Sequence, residues 1–380
     1  MVGAGVISTS PGFGWLEGLR ALGERVEVLA VADADPARAE AAARAYDIPH
    51  ALGSVDELLE RVDVDAVINL TPIPVHAEIC LKALRAGKHV VTEKPFATTM
   101  EDADTIAGLA EEKGLAVVSC PITGIEPLTL EVRRLVREGQ VGKVAFARVR
   151  SSHGGPAATR QNGDPTWFYQ RGAGPLFDMG VYGLHAITAV LGPAKRVVAF
   201  SGITEPTRVV RGGTHRGTVI EVTADDNVLL MLDFGGSTYA FVDATFNVNA
   251  ATSPRIEVFA RQGTINFELG SRATGAVTPL EIFRLDAVSG LDGWIRPDLR
   301  GLESASEARR RIGRAYPVVH LLEALEGTAP PRATLEHARH VLEIMVRADE
   351  SARCGRVLDL ASTFTPPDPL SADGARATAR

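Results

Sequence analysis

A chain of 380 residues is too long for one ordinary hydrophobic core, so two domains are expected. With 45% hydrophobic and 23% charged residues and a net charge of −7, it has the balance of a soluble globular protein, and nonspecific nucleic-acid binding is excluded as a default. No apolar run reaches membrane-spanning length, no signal-peptide pattern is present, and Cys80, Cys120 and Cys354 lie too far apart for a disulfide framework or a zinc site. Neither a membrane nor a nucleic acid is expected as a partner, no metal is expected, and a reducing cytoplasm is the expected location.

The chain opens MVGAGVISTSPGFGWLEGLRAL, which contains glycine turns of the kind that cradle a dinucleotide pyrophosphate. Two registers fit. In the first, Gly3-Ala4-Gly5 with Val6 and Ile7 forms the turn, and the strand that should precede it is nearly absent. In the second, Val2–Ile7 is the strand and Gly12-Phe13-Gly14, with Gly18, follows it. The second places Asp33 twenty-one residues after Gly12, close to the usual spacing; the first places it thirty after Gly3. Two glycines weaken a strand, so the first register is preferred. It carries the expectation of a truncated central strand, whose missing Val- and Ile-rich residues would precede Met1.

VEVLAVAD (Val26–Asp33) then reads as a strand ending in an acid, and the next helix has Asp35 as its N-cap and Pro36 at its first position. VDAVINLTP (Val64–Pro72) is another strand, HAEICLKALRAGK an amphipathic helix capped by Gly87, HVVTEKP (His89–Pro95) a strand, MEDADTIAGLAEEKG a helix and LAVVSC a strand. Strands alternating with helices of this length predict βαβ units and a doubly wound parallel sheet over residues 1–122. Ligands of such sheets bind beyond the carboxyl ends of the strands. That marks Asp33, Thr71-Pro72 with His76 behind them, and Glu93-Lys94-Pro95. A carboxylate at 33 accepts the adenosine ribose hydroxyls of NAD and repels the 2′-phosphate of NADP, and Ala34 supplies no compensating cation. Lys94 is one of six lysines against 34 arginines, held extended by the proline after it.

Residues 123–362 form the expected second domain, and 363–380 a flexible tail. RGAGPLFDMGVYGLHAITAVLGP turns from glycine-rich to helical, and Asp178, Tyr182 and His185 fall on one face at i, i+4 and i+7. An acid, a phenol and an imidazole are the side chains that hold hydroxyls or move protons. Gly180 and Gly183 interrupt the same helix, which points to close approach of a backbone or a ligand. Upstream, Trp167 and Phe168 offer an apolar platform, and His153 ends a strand facing the same cleft. KVAFARVRSS, KRVVAFSGI, TVIEVTADD, NVLLMLDF, STYAFVDATFNV and RIEVFARQGTINF alternate with period two and predict a largely antiparallel sheet with the Asp178 helix on one face. TLEHARHVLEIMVRADESARCG closes the chain as an amphipathic helix. Its His337 and His340 lack a second ligand cluster and predict no metal. The loop carrying Arg208, Arg211 and Arg216 hints at an anionic group, but a solvated loop is the commoner outcome.

EKP, NLTPIPVHAE and GAGPLFDMGVYGLH together resemble the Gfo/Idh/MocA family, named for glucose–fructose oxidoreductase and inositol dehydrogenase, over Gly3 to about Leu360. The resemblance implies an N-terminal Rossmann domain and a C-terminal α+β domain with a large open sheet used for homo-oligomer contacts. It implies NAD or NADP as cofactor, NAD being favoured by Asp33, and sugars, cyclitols or their derivatives as substrates. Lys94 matches the family's EKP lysine beside the nicotinamide and the reacting oxygen, Asp178 the acid of its D-x-x-x-H/Y pattern, Tyr182 the His/Tyr position, and His185 a further position of the same pattern. Lys94, Tyr182 and His185 all remain candidates for the acid–base. The activity implied is a dehydrogenase of a sugar or cyclitol. An NAD-using glycoside hydrolase or eliminase with transient oxidation, or a nonenzymatic dinucleotide sensor, are the alternatives.

Overall fold

In a computed structural model of the protein, the described residues are 1–8, 13–158, 163–269, 279–299, 302, 307, 309–327 and 332–368. They form two compact units. One comprises Met1–Pro121 and Glu307–Arg339, the other Ile122–Ser306 and His340–Arg380.

The first unit is built on β1 (Val2–Ser8), α1 (Phe13–Arg20), β2 (Val26–Ala32), α2 (Pro36–Tyr46), β3 (His50–Leu52), α3 (Val55–Leu59), β4 (Ala66–Leu70), α4 (His76–Arg85), β5 (His89–Thr92), α5 (Met100–Lys113) and β6 (Val117–Ser119). The strands pair in parallel in the order β3-β2-β1-β4-β5-β6, the doubly wound arrangement in which β1 and β4 flank the switch point. Local chemistry sets the helix starts. The Asp35 carboxylate accepts the Ala37 amide ahead of Pro36, and Thr99 Oγ1 accepts the Asp102 amide at the start of α5.

The central strand is present, which overturns the preferred register. Val2 pairs with Val26, Ile7 with Ala32, and Ala4–Ser8 run beside Ala66–Leu70. Gly3 and Gly5 therefore lie inside β1 and are not the pyrophosphate turn. Their lack of a side chain serves packing: a Cβ at Gly3 would collide with the Asp63 carbonyl, and one at Gly5 would come within 2.6 Å of Leu58 Cδ2. Val6 and Ile7 are buried core residues of the same strand, paired with Val31 and Ala32. Residues 9–12, between β1 and α1 and including Gly12, lie outside the described residues.

The segment 307–326, expected in the second domain, belongs to the first. Its helix Tyr316–Glu326 lies against β5 and β6, and Ile312 and Ala315 press on α1 at Gly18, where a Cβ would strike the Ile312 carbonyl. A chain that leaves the unit at Pro121 and returns at Glu307 carries no local trace of its destination.

The second unit holds α6 (Pro127–Arg137), β7 (Val144–Arg150), α7 (Val181–Leu191), β8 (Arg196–Gly202), β9 (Thr207–Val209), β10 (Val219–Glu221), β11 (Asn227–Gly235), β12 (Thr238–Thr245), β13 (Ile256–Ala260), β14 (Gly263–Phe267), β15 (Leu280–Val288), β16 (Leu291–Ile295) and β17 (Leu358–Asp359), with the helix Leu335–Cys354 contributing from His340 onward. Nine strands form one sheet in the order β16-β15-β14-β13-β7-β12-β11-β8-β17, antiparallel throughout except for the β7–β12 pair. Alternation decides the faces. Val228, Leu230 and Leu232 of β11 are buried, whereas Leu229 and Met231 are exposed. RIEVFARQGTINF is a hairpin of two strands turning at Arg261-Gln262. α7 covers the buried face so closely that a Cβ at Gly183 would overlap Val149 and Ser151, and one at Gly180 would come 3.1 Å from Ala244. Both helix glycines thus answer to the sheet. The tail is held at least to residue 368: Phe364 is buried beside His340, and the Pro367 carbonyl accepts Arg133 Nε at 2.7 Å. Residues 369–380 lie outside the described residues.

Candidate active-site residues

In the first unit the marked residues gather at the carboxyl ends of the strands. Asp33 follows β2 and is 5% exposed. Its Oδ1 accepts the Asp35 amide at 2.9 Å and Arg38 Nη2 and Nε at 2.9 and 3.1 Å. Among the described residues its Oδ2 has no partner, so one oxygen is oriented by protein and the other is left to accept an outside hydroxyl. Arg38, from the first turn of α2, is the cation that Ala34 does not supply.

Thr71 and Pro72 follow β4. Thr71 is fixed by Asn69, whose Oδ1 accepts both its hydroxyl, at 2.6 Å, and its amide, at 3.2 Å. His76, expected to touch the cofactor, is instead buried at 1% exposure. Its Nε2 lies 2.6 Å from the Thr71 carbonyl and its Nδ1 2.7 Å from the Pro95 carbonyl. Two carbonyls face the ring, and a neutral imidazole carries one N–H. Burial, with Lys94, holds the His76 pKa below its ordinary value against the pull of the two carbonyls and Glu93. His76 acts as a brace between the two strand-end turns.

The Glu93-Lys94-Pro95 turn follows β5 and contains a cis Lys94–Pro95 bond. The Glu93 amide bonds to the Asn69 carbonyl at 2.9 Å. The Glu93 carboxylate accepts the Lys94 amide at 3.2 Å through Oε2 and the Trp15 indole Nε1 at 3.2 Å through Oε1. Trp15 thereby ties α1 to the turn after β5, a link with no sequence signal. Cys120, buried at the end of β6, has its thiol pKa pushed well up by burial and by Glu93, against the pull of Arg309, Lys94 and Arg314. The charges of three cations thus act on the thiol at the end of β6. Only Lys94 was legible in the sequence; the two arginines come from the returning segment.

In the second unit the three residues of the expected stripe differ in burial, Asp178 and His185 being buried and Tyr182 half-buried. Leu176–Gly180 is a turn of π-helix, and the Val181 amide reaches back to the Leu176 carbonyl. Asp178 is buried near Tyr169, whose phenol pKa is raised by burial and, to a lesser degree, by the charges of Asp226 and Asp178. Tyr182 is half-buried, and its carbonyl accepts Thr123 Oγ1 at 2.8 Å. His185 is buried beside His340, and burial reinforced by that neighbour lowers its pKa to about 3. A ring so placed stays neutral at physiological pH and is not poised to give up a proton. His340 is engaged too, accepting the Ala194 amide at Nε2 and facing Ser362 through Nδ1.

His153 accepts the Gly155 amide at Nδ1, which puts the proton on Nε2, and its ring lies 5.3 Å from Phe246. Trp167 is 37% exposed and stacked on Phe168, with centroids 3.7 Å apart, while Phe168 packs against the buried cluster of Tyr169, Val222 and Phe246. Arg208, in the loop that hinted at an anion, is committed inward to Asp226 and Asn247. Among the described residues no group of three His, Cys, Asp or Glu side chains forms a metal site, and no helix is long and apolar enough to cross a membrane.

Comparison with known proteins places this geometry. Residues 1–119 match the model of the Gfo/Idh/MocA oxidoreductase family with an NAD-binding Rossmann fold, and residues 129–266 match the C-terminal domain of the same family. The chain belongs to the Gfo/Idh/MocA family. Among relatives of this family, the dTDP-3,4-didehydro-2,6-dideoxy-alpha-D-glucose 3-reductase of Saccharopolyspora spinosa is 33% identical over 59% of this chain and 63% of its own. The levoglucosan dehydrogenase of Pseudarthrobacter phenanthrenivorans is 25% identical over 64% of this chain and 65% of its own. The matches thus span less than two-thirds of these relatives. A solved levoglucosan dehydrogenase in complex with NADH and levoglucosan shares the fold, with a TM-score of 0.77, 19% identity, and coverage of 95% of this chain and 100% of that one. The residues at the strand ends fit the family's dinucleotide: a half-engaged buried carboxylate after β2, a helix start after β1, and a fixed lysine turn after β5.

Proposed function

We propose that this chain is an NAD-dependent dehydrogenase acting on a carbinol of a sugar, a cyclitol or a sugar derivative. The observation that carries the reading is the anchoring of the Lys94 turn. Its peptide groups and its flanking acid are held by Asn69, His76 and Trp15, at the strand end where a Rossmann fold presents its cofactor. Bound NAD supplies the hydride acceptor.

This chain's own residues bind and move the proton. Asp33 Oδ2 accepts a ribose hydroxyl of the adenosine half. Thr71 and Pro72 line the turn after β4 over which the dinucleotide lies, and Glu93 sets the turn that bears Lys94. A carbinol carbon gives up hydride only as its hydroxyl loses a proton, and the Lys94 ammonium–amine pair takes or relays that proton. Asp178 and Tyr182 hold neighbouring hydroxyls, with Tyr182 the second proton carrier. Trp167 and His153 meet the sugar face. The substrates named for the relatives, a dTDP-linked keto sugar and levoglucosan, support a ring carbinol or its ketone as the reacting group. The same site runs in either direction, so NADH oxidation by a keto sugar is the same reading.

The exposed face of the nine-stranded sheet presents Phe146, Phe200, Met231, Tyr239 and Phe241. Such a face favours a homo-oligomer through this sheet. Buried free thiols at Cys80 and Cys120 suit the cytoplasm. The test is NAD reduction against a panel of sugars, anhydrosugars and cyclitols, with NADH oxidation by the matching ketones. A glycoside cleaved with no net NADH overturns the simple dehydrogenase in favour of transient oxidation.

A further inference from the structure

We propose that Arg208, Asp226 and Asn247 form a positioning device for His153, the ring assigned above to the substrate. The proposal rests on the dehydrogenase reading only in making His153 a substrate contact; the device itself lies wholly in the second unit. It gives a role to the arginine loop whose sequence hinted at an anion.

Asp226 is the hub. It directly precedes β11 and is 1% exposed. Its carboxylate accepts the Thr204 amide at 2.7 Å through Oδ1 and Arg208 Nη2 through Oδ2. Its carbonyl accepts three donors from the exit of β12: the Thr245 hydroxyl at 3.0 Å, the Phe246 amide at 2.9 Å and Asn247 Nδ2 at 3.2 Å. Arg208 Nη2 also donates to Asn247 Oδ1 at 2.6 Å. That bond decides which way the Asn247 amide faces. With Oδ1 turned to the guanidinium, Nδ2 faces the Asp226 carbonyl, Thr204 Oγ1 and Thr245 Oγ1. Arg208 Nε is buried with no partner among the described residues. The guanidinium is thus placed to bridge a carboxylate and an amide rather than to satisfy all its own donors. A buried ion pair adds little net stability over apolar packing, but its directional bonds fix one geometry.

The geometry so fixed reaches His153. The His153 amide donates to the Thr245 carbonyl and its carbonyl accepts the Val248 amide, both at 3.3 Å, and its ring lies 5.3 Å from Phe246. Bonds this long leave the placement of His153 to the anchoring of 245–248 from its other side, which Asp226 supplies. The turn after His153 is shaped to match. Gly155 has φ +84°, its amide donates to His153 Nδ1 at 2.8 Å, and a Cβ there would collide with Tyr169 Oη. Tyr169 joins the buried cluster of Val210, Ile220, Val222 and Phe246 on which the Arg208 hairpin, β9 and β10, is seated. The charges of Arg208, Asp226 and Asp178 all act on the Tyr169 phenol, so the device lies near the acid assigned to a substrate hydroxyl.

The test is imidazole-nitrogen NMR of the full chain carrying isotope-labelled histidine, the His153 signal being assigned by its loss in His153→Gln, together with steady-state kinetics. The unaltered protein should show one His153 tautomer, with the proton on Nε2. Asn247→Leu removes the bridge without orphaning a buried charge, and Arg208→Met with Asp226→Leu replaces the pair by apolar groups, so both variants are expected to fold. Both are expected to mix the His153 tautomers and to raise KM for the reactive sugar or cyclitol about tenfold, with NAD affinity within about twofold. In a His153→Gln background the same changes should alter kcat/KM by less than about twofold, because the ring through which they act is already gone. An unchanged His153 tautomer in both variants overturns the proposal. So does a full tenfold loss in the His153→Gln background, which would make the device only a support of the fold. If no sugar or cyclitol reduces NAD, the dehydrogenase reading falls, and the ring spectrum still decides whether the device positions His153.

Discussion

Arg38 places two of its nitrogens on one oxygen of Asp33, Nη2 at 2.9 Å and Nε at 3.1 Å, and the Asp35 amide shares that oxygen at 2.9 Å. The pair fixes one oxygen of the carboxylate and leaves the other without a partner among the described residues, the arrangement that the proposed ribose contact would use. It also holds in reserve the cation that NADP requires. Charged hydrogen bonds of this kind contribute about 1.5–3 kcal/mol each. Asp33→Ser is therefore expected to weaken NAD by roughly tenfold or more and to release Arg38 toward a 2′-phosphate, moving the NAD-to-NADP preference about a hundredfold or more toward NADP. Titration of both cofactors checks this. An unaltered preference in Asp33→Ser would show that the acid does not read the ribose.

Gly3 is a packing residue, so Gly3→Ala should cost stability and spare the cofactor. The added methyl meets the Asp63 carbonyl in the crossover above the central strand. Overpacking of this kind costs about 1–3 kcal/mol, read from urea unfolding. The NAD dissociation constant of the folded fraction should stay within about twofold, since no ligand group lies there. The reverse pattern, intact stability with lost NAD binding, would restore Gly3-Ala4-Gly5 as the pyrophosphate turn.

His76 joins the Thr71 and Pro95 carbonyls from inside the protein. His76→Asn keeps at most one of these bonds. The turnover number is expected to fall by about tenfold, while the NAD dissociation constant changes little, because a misplaced lysine costs rate before it costs binding. A loss confined to NAD affinity would mark His76 as a cofactor ligand after all.

His185 gives the protein an acid-sensitive step. In the unfolded chain its imidazole titrates near the ordinary value of 6.5, whereas in the folded protein it stays neutral down to about 3. Between these values the unfolded state binds the extra proton, so the contribution of His185 is fully present above about pH 6.5 and is lost as pH falls toward 3, at up to ~1.4 kcal/mol per unit. His185→Gln should flatten stability against pH in denaturant titrations between about pH 5 and 7. It should leave the pH dependence of turnover intact. Disappearance of a limb of the rate profile in His185→Gln would return the ring to the acid–base role.

The first unit was largely legible because its signals are local. Asp35 and Pro36 open a helix wherever they fall, and apolar runs between such helices make a parallel sheet. Asp33 and Glu93-Lys94 were legible because strand ends are where a parallel sheet presents ligands. Gly3 and Gly5 misled because one residue type answers two demands, a tight turn or a close neighbour, and only the positions of Asp63 and Leu58 decide between them. The π-turn at Leu176–Gly180 that carries Asp178 left no mark in a pattern read as a uniform helix. β15 and β16 escaped because many of their residues are exposed on both faces, which erases the alternation. Trp15 and Arg38 carry no pattern; they matter through what the fold sets beside them.

The measurement that tests the central claim most directly is NADH formation by the chain and by Lys94→Met, across a panel of sugars, anhydrosugars and cyclitols, alongside NAD binding by both. At least one ring carbinol should reduce NAD with the unaltered chain. Lys94→Met should lose turnover while binding NAD within about tenfold, since the lysine handles the proton and not the dinucleotide. Turnover retained in Lys94→Met, or no hydride transfer in either direction by a chain that binds NAD, would contradict the account.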